Sequence, residues 1–441
     1  MTDYMSVGGV EIANTARLRE YLRTVGSPLD SGSEICACES FTADVLGDEA
    51  YTRPDDPDSP APWYDPSDPA SAEFAGFLIL DIDNIDDYPV RRTVTTSVAG
   101  GGSLGPARVQ PRDITVSGIV LASTCCGVEF GLRFLTAALQ GCTGSQCGGD
   151  CVTMYDCCPG EEMTAAEFNA AHRRSFRRVA LTDGPRVTGR SGSGTCGVGK
   201  CSAGADVVTI EFTLTAATPW AFTDQTPLLE VGIPTDDDDT CVEWCIHSST
   251  APGESPCACR LAECVDAQDA CADPLCVAPA PPVPTAPESC FCEALATDRD
   301  CYEIDLSDRS GWVDDVPTIN IYAGSSELRR LTISLFTRTE ADAALSCAEL
   351  ADKNRCEPYA QWVISYVPKN GELTLDGQTS RSTLDCNRQC SPATTVYGRN
   401  GAPPTWPVLN CAGFCLCIET DAFLPPAPDA TLSLSVSGRA S

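Results

Sequence analysis

Cysteine is the residue type with the most chemical potential in this chain, because 28 of its 441 residues are cysteine. A thiolate can bind zinc, attack an electrophile or oxidise to a disulfide, and the spacing of the cysteines helps to separate these uses. Many of them fall into clusters. The three clusters are Cys142, Cys147, Cys151, Cys157 and Cys158; Cys241, Cys245, Cys257, Cys259, Cys264, Cys271 and Cys276; and Cys386, Cys390, Cys411, Cys415 and Cys417.

The spacing favours disulfides over zinc. Structural zinc sites usually carry Cys-x-x-Cys pairs, because two thiolates at that spacing reach one tetrahedral ion. The chain has no such pair, although wider pairs such as Cys241 and Cys245 exist, and His172 and His247 are its only histidines. Cysteine-rich loops lack a core of their own and gain from cross-links that restrict the unfolded chain. Bound metal and free thiols remain the alternatives, and the spacing leaves the disulfide connectivity open.

Nucleophilic catalysis has little support. A Ser–His or Cys–His arrangement needs an imidazole, and both histidines lie in charged or cysteine-rich surroundings. No Gly-x-Ser-x-Gly element joins a strand pattern to a helix pattern. Residues 100–105 (GGGSLG) lack the Lys-Ser/Thr of a phosphate-binding loop and predict a flexible hairpin tip. We therefore predict no enzymatic activity and assign no catalytic, cofactor-binding or metal-binding residue; a cysteine- or metal-dependent hydrolase is the least supported alternative.

The charge of the chain is strongly acidic. Asp and Glu number 62 against 29 Lys and Arg, which gives a formal net charge of −33. Such a surface repels phosphate backbones and anionic lipids, so a role that grips DNA is disfavoured. A surface past which DNA slides without specific binding would suit the same charge.

Two charged runs have a functional and a structural interpretation. Residues 172–178 (HRRSFRR) could bind nucleic acid through arginine and Phe176, but we predict a strand whose arginines pair with acidic neighbours or an acidic partner. Residues 81–87 (DIDNIDD) loosely resemble a calcium loop. They lack the glycine and the distal Glu of an EF-hand, and we predict a strand that runs into an acidic turn.

The cysteine content also bears on the compartment. Disulfides persist outside the reducing cytosol, yet residues 1–10 (MTDYMSVGGV) show neither the basic start nor the apolar run of a signal peptide. No stretch of apolar residues is long enough to span a membrane, so we expect no membrane insertion. A virion component that is made in the host cytoplasm and released by lysis fits both observations.

Helical patterns are few and strand patterns are frequent, which predicts a mainly-β protein of sandwiches or barrels. Residues 128–140 predict a helix that ends before Gly141, and residues 15–22 predict a second helix capped by Asn14. Apolar and polar residues alternate in residues 207–214, as in half-buried strands. The same alternation places Leu331, Ile333 and Leu335, then Trp362, Ile364 and Tyr366, and then Leu432, Leu434 and Val436 on one side of their strands.

Composition divides the chain into three parts. Residues 226–289 contain four consecutive aspartates, seven cysteines and the Pro-rich run at residues 278–287, which favours a semi-rigid spacer. We therefore predict a β domain at residues 1–225, a Cys/Pro-rich connector at residues 226–289 and a second β domain at residues 290–441. Within the first domain, the Pro- and Asp-rich residues 51–70 predict an extended arm.

Several strings, in this order, resemble the distal tail and minor tail proteins of siphophages that infect actinobacteria. Together they sample most of the chain apart from the connector, and their order and spacing carry the resemblance. They are residues 7–13 (VGGVEIA), 63–66 (WYDP), 111–123 (PRDITVSGIVLAS), 129–141 (EFGLRFLTAALQG), 173–190 with the phrase RRVALTDGPRV, 207–220 (VVTIEFTLTAATPW), 364–377 (ISYVPKNGELTLDG), and 397–413 with Trp406-Pro407.

The resemblance implies a structural protein of the phage tail. The first domain would be tail-tube-like, with β-sandwich strands and one flanking helix at residues 128–140, and the second would be a galectin-like sandwich. Such proteins form a ring, commonly hexameric, at the distal end of the tail tube. The partners would be further copies of the chain, the tail tube protein and the tail-tip hub protein, with the tape measure protein as a further candidate. We expect the 51–70 arm to reach a neighbouring subunit, and an acidic lumen to let DNA pass.

The alternative function is a receptor-binding module in which the second domain recognises cell-wall glycan. Its support is the set Trp362, Tyr366, Tyr397 and Trp406, since aromatic rings often stack on sugars. The structural interpretation of the same four residues is core packing, because Trp362 and Tyr366 share a strand face with Ile364.

Overall fold

The computed structural model describes residues 3–27, 38–98, 100–140, 150–160, 163–191, 207–235, 242–246, 289–293, 297–307, 309, 313–386, 389–410, 413–421 and 424–440. The chain divides into two compact units, Met1–Gln225 with Ser437–Ser441, and Thr226–Val436. Antiparallel strands dominate both units and helices are few, which confirms the mainly-β prediction. The finer likeness of the units to tail-tube and galectin-like folds stays a prediction.

The first unit begins with a hairpin and a helix and continues with longer strands. Its helices are α1 (Thr15–Thr24), α2 (Ala43–Leu46), α3 (Cys125–Leu139) and α4 (Ala165–His172). Its strands are β1 (Tyr4–Val7), β2 (Val10–Asn14), β3 (Phe74–Asp83), β4 (Val90–Arg91), β5 (Val94–Thr96), β6 (Gly102–Leu104), β7 (Arg108–Val109), β8 (Arg112–Ala122), β9 (Asp150–Tyr155), β10 (Arg173–Ser191), β11 (Val207–Ala216) and β12 (Ala221–Phe222).

The strands of the first unit pair antiparallel in the order β2-β1-β9-β10-β11-β8-β3. The 19-residue strand β10 connects the two halves, because its first residues pair with β9 and β12 and its residues from Val179 onward pair with β11. The ladder is irregular between Phe176 and Val179, where Arg178 takes a positive φ of 55°. A bulge of this kind bends a strand, so one strand serves both halves.

Helix α3 confirms the helix predicted at residues 128–140 and begins three residues earlier. It begins there because Thr124 caps it by accepting a hydrogen bond from the Gly127 N–H. The helix can approach the sheet closely at Gly131, since a Cβ there would lie 2.6 Å from the Phe74 ring. Helix α1 likewise confirms its prediction, and Asn14 is its cap.

The described residues of the second unit form two larger sheets, one separate pair of strands and one longer helix. The helix is α5 (Cys347–Asn354). The strands are β13 (Thr226–Gly232), β14 (Val242–Ile246), β15 (Ser289–Glu293), β16 (Thr297–Asp305), β17 (Asp314–Tyr322), β18 (Leu328–Arg338), β19 (Ala360–Val367), β20 (Glu372–Asp376), β21 (Arg381–Cys386), β22 (Gln389–Pro392), β23 (Val396–Tyr397), β24 (Gly413–Asp421) and β25 (Thr431–Ala440). Residues of β25 from Ser437 onward belong to the first unit.

One core joins the apolar sides of the two sheets of the second unit. The five-stranded sheet has the order β16-β24-β18-β19-β23, and the other sheet has the order β13-β25-β17-β20-β21-β22. Trp362 and Phe414 from the first sheet and Leu375 and Leu434 from the second are buried in this core. The segment predicted as a connector thus begins with β13, which pairs with β25; its Pro-rich run at residues 278–287 and most of its cysteines lie outside the described residues.

Disulfides are present among the described residues, in agreement with the favoured use of the cysteines. In the first unit Cys38 bonds to Cys158. In the second unit Cys301 bonds to Cys417 between register partners of β16 and β24, and Cys347 at the start of α5 bonds to Cys415. The bonded pairs cross the sequence clusters rather than lying within them. Cys125, Cys356 and Cys390 are also disulfide-bonded, whereas Cys151, Cys157 and Cys386 are free thiols.

No described helix combines the length and apolar character needed to cross a membrane. Several residues on which sequence predictions fall lie outside the described ones. These residues include His247, Cys142, Cys147, Cys241, Cys257, Cys259, Cys264, Cys271, Cys276 and Cys411.

We expect the double substitution Cys347→Ala/Cys415→Ala to lower the free energy of unfolding of the second unit. The bond spans 68 residues, and closing a loop of that length stabilises a fold by about 4 kcal/mol through the unfolded chain. The measurement is a urea titration of the oxidised protein followed by circular dichroism, with Cys386→Ala as the matched thiol control. Equal midpoints for the two variants would contradict the expectation, and non-reducing peptide mapping of the wild type should recover the Cys301–Cys417 and Cys347–Cys415 bonds.

Candidate assembly surface

A long hairpin leaves the first unit between β3 and β8. Two short ladders build it, β4 with β7 and β5 with β6, and Val94 faces Leu104 in the second ladder. At the tip the Gly100 N–H donates to the Ser97 carbonyl, and Gly100 and Gly101 take positive φ values that a side chain would resist. The tip therefore comes before most of the run predicted for it, since Gly102–Leu104 is β6. We call residues 88–110 the hairpin arm.

The hairpin arm exposes apolar side chains that have no cover within the described residues. Every residue of β5 and β6 is exposed. Val94 and Leu104 are 61% and 67% exposed, Tyr88 is 54% exposed, and Val98 is fully exposed near the tip. An isolated two-stranded ribbon is marginally stable in water, and contiguous exposed apolar side chains typically mark an interaction site. The hairpin arm therefore has the features of an interaction surface.

The charge of the hairpin arm is opposite to that of the chain. Residues 88–110 contain Arg91, Arg92 and Arg108 and no Asp or Glu, within a chain of net charge −33. None of the three arginines lies within ion-pair distance of a carboxylate in the described part of the chain; Arg92 donates only to the Gly105 carbonyl, at 3.3 Å. These guanidinium groups thus remain available to an acidic partner, for which arginine is suited by its fixed fork of donors.

The basic run at residues 172–178 differs from the hairpin arm because its first charges have acidic partners. Arg174 lies 2.6 Å from Asp156, the His172 ring lies 2.9 Å from the same carboxylate, and Arg173 lies 3.6 Å from Asp224. Phe176 is buried in the core of the first unit. The prediction of a strand is confirmed from Arg173 onward and the pairing with acidic neighbours is confirmed for Arg173 and Arg174, and Phe176 is not available to stack on a base.

The segment predicted as an extended arm, residues 51–70, instead folds onto its own unit. Tyr51, Ala61 and Trp63 are buried. The Trp63 indole lies 4.9 Å from the Phe74 ring and 5.9 Å from the Phe134 ring, measured between centroids, and its N–H donates to the Phe74 carbonyl at 3.2 Å. This corrects the expectation that residues 51–70 are free to reach a neighbouring subunit. We call this segment the acidic loop.

The outer side of the acidic loop carries its carboxylates. The loop contains five aspartates and one basic residue, Arg53. Hydrogen bonds from Thr52 and Ser67 lower the pKa values of Asp56 and Asp65, because they stabilise the ionised forms. Asp58 is exposed. Asp55 lies 3.5 Å from Arg53 and Asp68 lies 3.7 Å from Arg133, and the other three aspartates leave the acidic loop with a net negative charge.

A buried ion pair holds the start of the acidic loop. The Glu11 carboxylate accepts hydrogen bonds from Arg17 Nε and Asn14 Nδ2, both at 2.8 Å. The Arg17 guanidinium lies 4.0 Å from the centre of the Tyr51 ring, and the Tyr51 hydroxyl donates to Asp48. Burial raises the pKa of the Glu11 carboxyl, and its two donors oppose that shift. One network of polar contacts thus connects helix α1 to the acidic loop.

The acidic run at residues 81–87 is a strand end and a turn, as predicted. β3 continues to Asp83, and Asn84 takes a positive φ of 65°. The Arg112 guanidinium fixes the turn by donating to the carbonyls of Asn84 and Ile85. Among the described residues, no group of three or more His, Cys, Asp or Glu side chains is placed to hold a metal ion.

The four aromatic residues proposed for glycan binding differ in accessibility. Trp362 is fully buried in the core of the second unit, which confirms the core-packing interpretation for this residue. Trp406 is half-buried against that core, and Tyr366 lies half-buried with Arg329 5.7 Å from its ring centre. Tyr397 is 42% exposed. Of these four residues, Tyr397 alone presents a largely accessible ring.

Comparison with known proteins gives only distant likenesses. No family model and no curated protein matches the chain. Among solved structures, it is similar to the Dit (gp 19.1) protein of phage SPP1, described as a paradigm of the hub adsorption apparatus in phages that infect Gram-positive bacteria, at 9% identity and a TM-score of 0.35 over 84% of this chain and 96% of that one. It is also similar to the phage p2 baseplate in its activated conformation, at 9% identity and a TM-score of 0.33 over 78% of this chain and 91% of that one. Both scores are too low to support a functional conclusion.

We expect Arg17→Met to lower the free energy of unfolding of the first unit by about 3–5 kcal/mol, because it leaves the Glu11 carboxylate buried without a cation. The pKa of Glu11 then rises further, so the loss should be largest at neutral pH and shrink as pH falls towards the usual glutamate pKa of about 4.3. The measurement is urea unfolding over a pH series, with Arg19→Met on the same helix as the control.

The double variant Arg17→Met/Glu11→Gln tests the same network from the other side. It should recover part of the lost stability, because no buried charge remains. A loss in Arg17→Met that does not depend on pH, or that the double variant does not reduce, would contradict the role of this ion pair.

Proposed function

We propose that this chain is a structural protein of a bacteriophage tail that assembles with further copies of itself into a ring. The hairpin arm is the observation that carries the proposal, because it combines exposed apolar residues with unpaired arginines in an acidic chain. The resemblance of the sequence to distal tail and minor tail proteins supports the assignment to a phage tail. The proposed place is the virion, at the distal end of the tail tube, where the ring joins the tube protein to the tail-tip hub protein.

The partner that best fits the hairpin arm is a second copy of the same chain. The arm carries three arginines and no acid, whereas the acidic loop carries five aspartates and one arginine. Both lie on the first unit, so every copy offers one basic and one acidic surface. A contact between two different surfaces of identical subunits is heterologous, and it closes into a ring when the rotation between subunits allows it. We therefore place the acidic loop of one copy against the hairpin arm of the next.

Two further features accord with this proposal. The net charge of −33 would repel the phosphate backbone, so DNA could pass the ring without binding to it. The apolar residues Val94, Val98 and Leu104 would be covered in the ring, which would stabilise a ribbon that the described residues of the single chain leave uncovered. A ring of six subunits is the expected stoichiometry.

Charge reversal and rescue test the proposed contact. Arg91→Glu/Arg92→Glu should weaken self-association by about tenfold or more, and Asp55→Lys/Asp58→Lys should do the same, because each places like charges in contact. The combination of all four substitutions should restore association, since it exchanges the two charges. Light scattering after gel filtration gives the subunit number, and negative-stain microscopy shows whether rings close.

The control for these variants is Arg355→Glu/Arg399→Glu, which makes the same change of net charge in the second unit. It should leave assembly as in the wild type. The assignment of the contact is refuted if either charge-reversed pair alone assembles normally, or if the combined variant assembles no better than the two pairs do alone. A wild-type protein that stays monomeric at high concentration would contradict ring formation through this contact.

The apolar part of the same contact gives a second expectation. Val94→Ser/Leu104→Ser should weaken association at every salt concentration, because burial of apolar surface does not depend on ionic screening. Association of the wild type should also weaken as salt rises, since contacts between exposed charges are screened. Sedimentation velocity over a salt series measures both effects. Normal assembly of the double serine variant would show that the ribbon is not buried in the ring.

A further inference from the structure

The outer side of the five-stranded sheet in the second unit carries one row of residues that crosses all five strands. The row follows directly from the strand register. Tyr397 of β23 faces Val363 of β19, Val363 faces Thr332 of β18, Thr332 faces Glu419 of β24, and Glu419 faces Arg299 of β16. We call these five residues the polar row.

The polar row is the part of this side that the helix leaves accessible. Helix α5 covers the neighbouring positions, where Phe336, Cys415 and Cys417 are buried beneath Leu350 and Ala351. By contrast, four residues of the row are half-buried and Tyr397 is 42% exposed. Apart from Val363 the row carries polar groups, and a partly open sheet side of this kind is a surface on which a ligand can lie along hydrogen-bonding groups.

The acidic end of the polar row has unused hydrogen-bonding capacity. Arg299 lies 2.8 Å from Asp352 on α5 and 3.9 Å from Glu419, so the latter contact is too long for a direct hydrogen bond. Burial raises the pKa of the Glu419 carboxyl, and the Arg299 charge opposes that shift. An ionised carboxylate offers about four acceptor positions, so Glu419 retains acceptors for hydroxyl groups.

We propose that the polar row binds a short neutral oligosaccharide laid across the strands. A sugar ring presents C–H groups on its face and hydroxyl groups at its rim, and the row places an aromatic ring, a threonine hydroxyl and a carboxylate in line. The three strand steps from Tyr397 to Glu419 span about 14 Å, which suits several linked sugars rather than one. Glu419 and Asp352 disfavour anionic sugars, because one guanidinium serves two carboxylates.

This inference revises which residues serve an adhesive role and stands apart from ring assembly. Trp362 belongs to the core, so the aromatic contribution comes from Tyr397. The polar partners Thr332, Glu419 and Arg299 come from strands that are distant in sequence, and the register brings them together. Because the polar row lies on the second unit, substitutions in it test glycan binding without altering the hairpin arm.

The experiment is saturation-transfer NMR with the whole oxidised chain and a panel of tetrasaccharides. The neutral members are built from glucose, galactose or N-acetylglucosamine, and one uronic-acid tetrasaccharide provides the anionic contrast. At least one neutral member should bind, and titration should give its dissociation constant. Absence of binding by every neutral member at millimolar concentration, or preference for the uronic acid, overturns the proposal.

Three variants assign the bound sugar to the polar row. Tyr397→Ala, Thr332→Val and Glu419→Gln should each weaken binding by about tenfold, equivalent to the loss of one stacking or hydrogen-bonding contact. Tyr322→Ala removes another exposed tyrosine, from the other sheet of the same unit, and should leave the dissociation constant unchanged. Circular dichroism confirms that each variant is folded. Wild-type affinity in the folded Tyr397→Ala and Thr332→Val variants would place the sugar elsewhere and overturn the assignment.

Discussion

A strand that alternates apolar and polar residues buries one side of its sheet and leaves the other side to be covered or exposed. In the second unit the inner side of the five-stranded sheet forms the core, and α5 covers part of its outer side. The polar row is what α5 leaves open. In β5 and β6 of the hairpin arm, neither side is covered. Both candidate binding surfaces, the polar row and the hairpin arm, are therefore parts of strands that no other described element covers.

Local patterns predicted the elements because helix and strand periodicities are properties of a short window. The helix at residues 128–140 and the strand at residues 207–214 are α3 and β11. Pairing over long distances could not be predicted in this way. Cys415 and Cys417 fall in one sequence cluster, yet each bonds to a cysteine far away in the chain. The polar row was missed for the same reason, since only the strand register aligns Thr332 with Glu419.

Composition gave a wrong prediction for residues 51–70, where prolines and aspartates indicated an extended arm. A single aromatic side chain decides the outcome, because Trp63 packs against Phe74 and brings the segment onto its own unit. The hairpin arm was harder to predict from the sequence, because Val94 and Leu104 stand among small and polar residues. The excess of arginine over acidic residues in the hairpin arm was the better indicator of an interaction surface. Arginines elsewhere, such as Arg17 and Arg174, have acidic partners, whereas a stretch without acids leaves its arginines unpaired.

Two disulfides of the second unit lie outside the core between its sheets. Cys301–Cys417 and Cys347–Cys415 lie in a small cluster beneath α5, separate from the core between the two sheets. That core contains no cysteine among its buried residues. Apolar burial can therefore form the sandwich without cross-links, and the bonds then restrict the unfolded chain. The Cys347–Cys415 bond fastens α5 at the border of the polar row, so its oxidation stabilises the edge of a surface whose shape the strand register already sets.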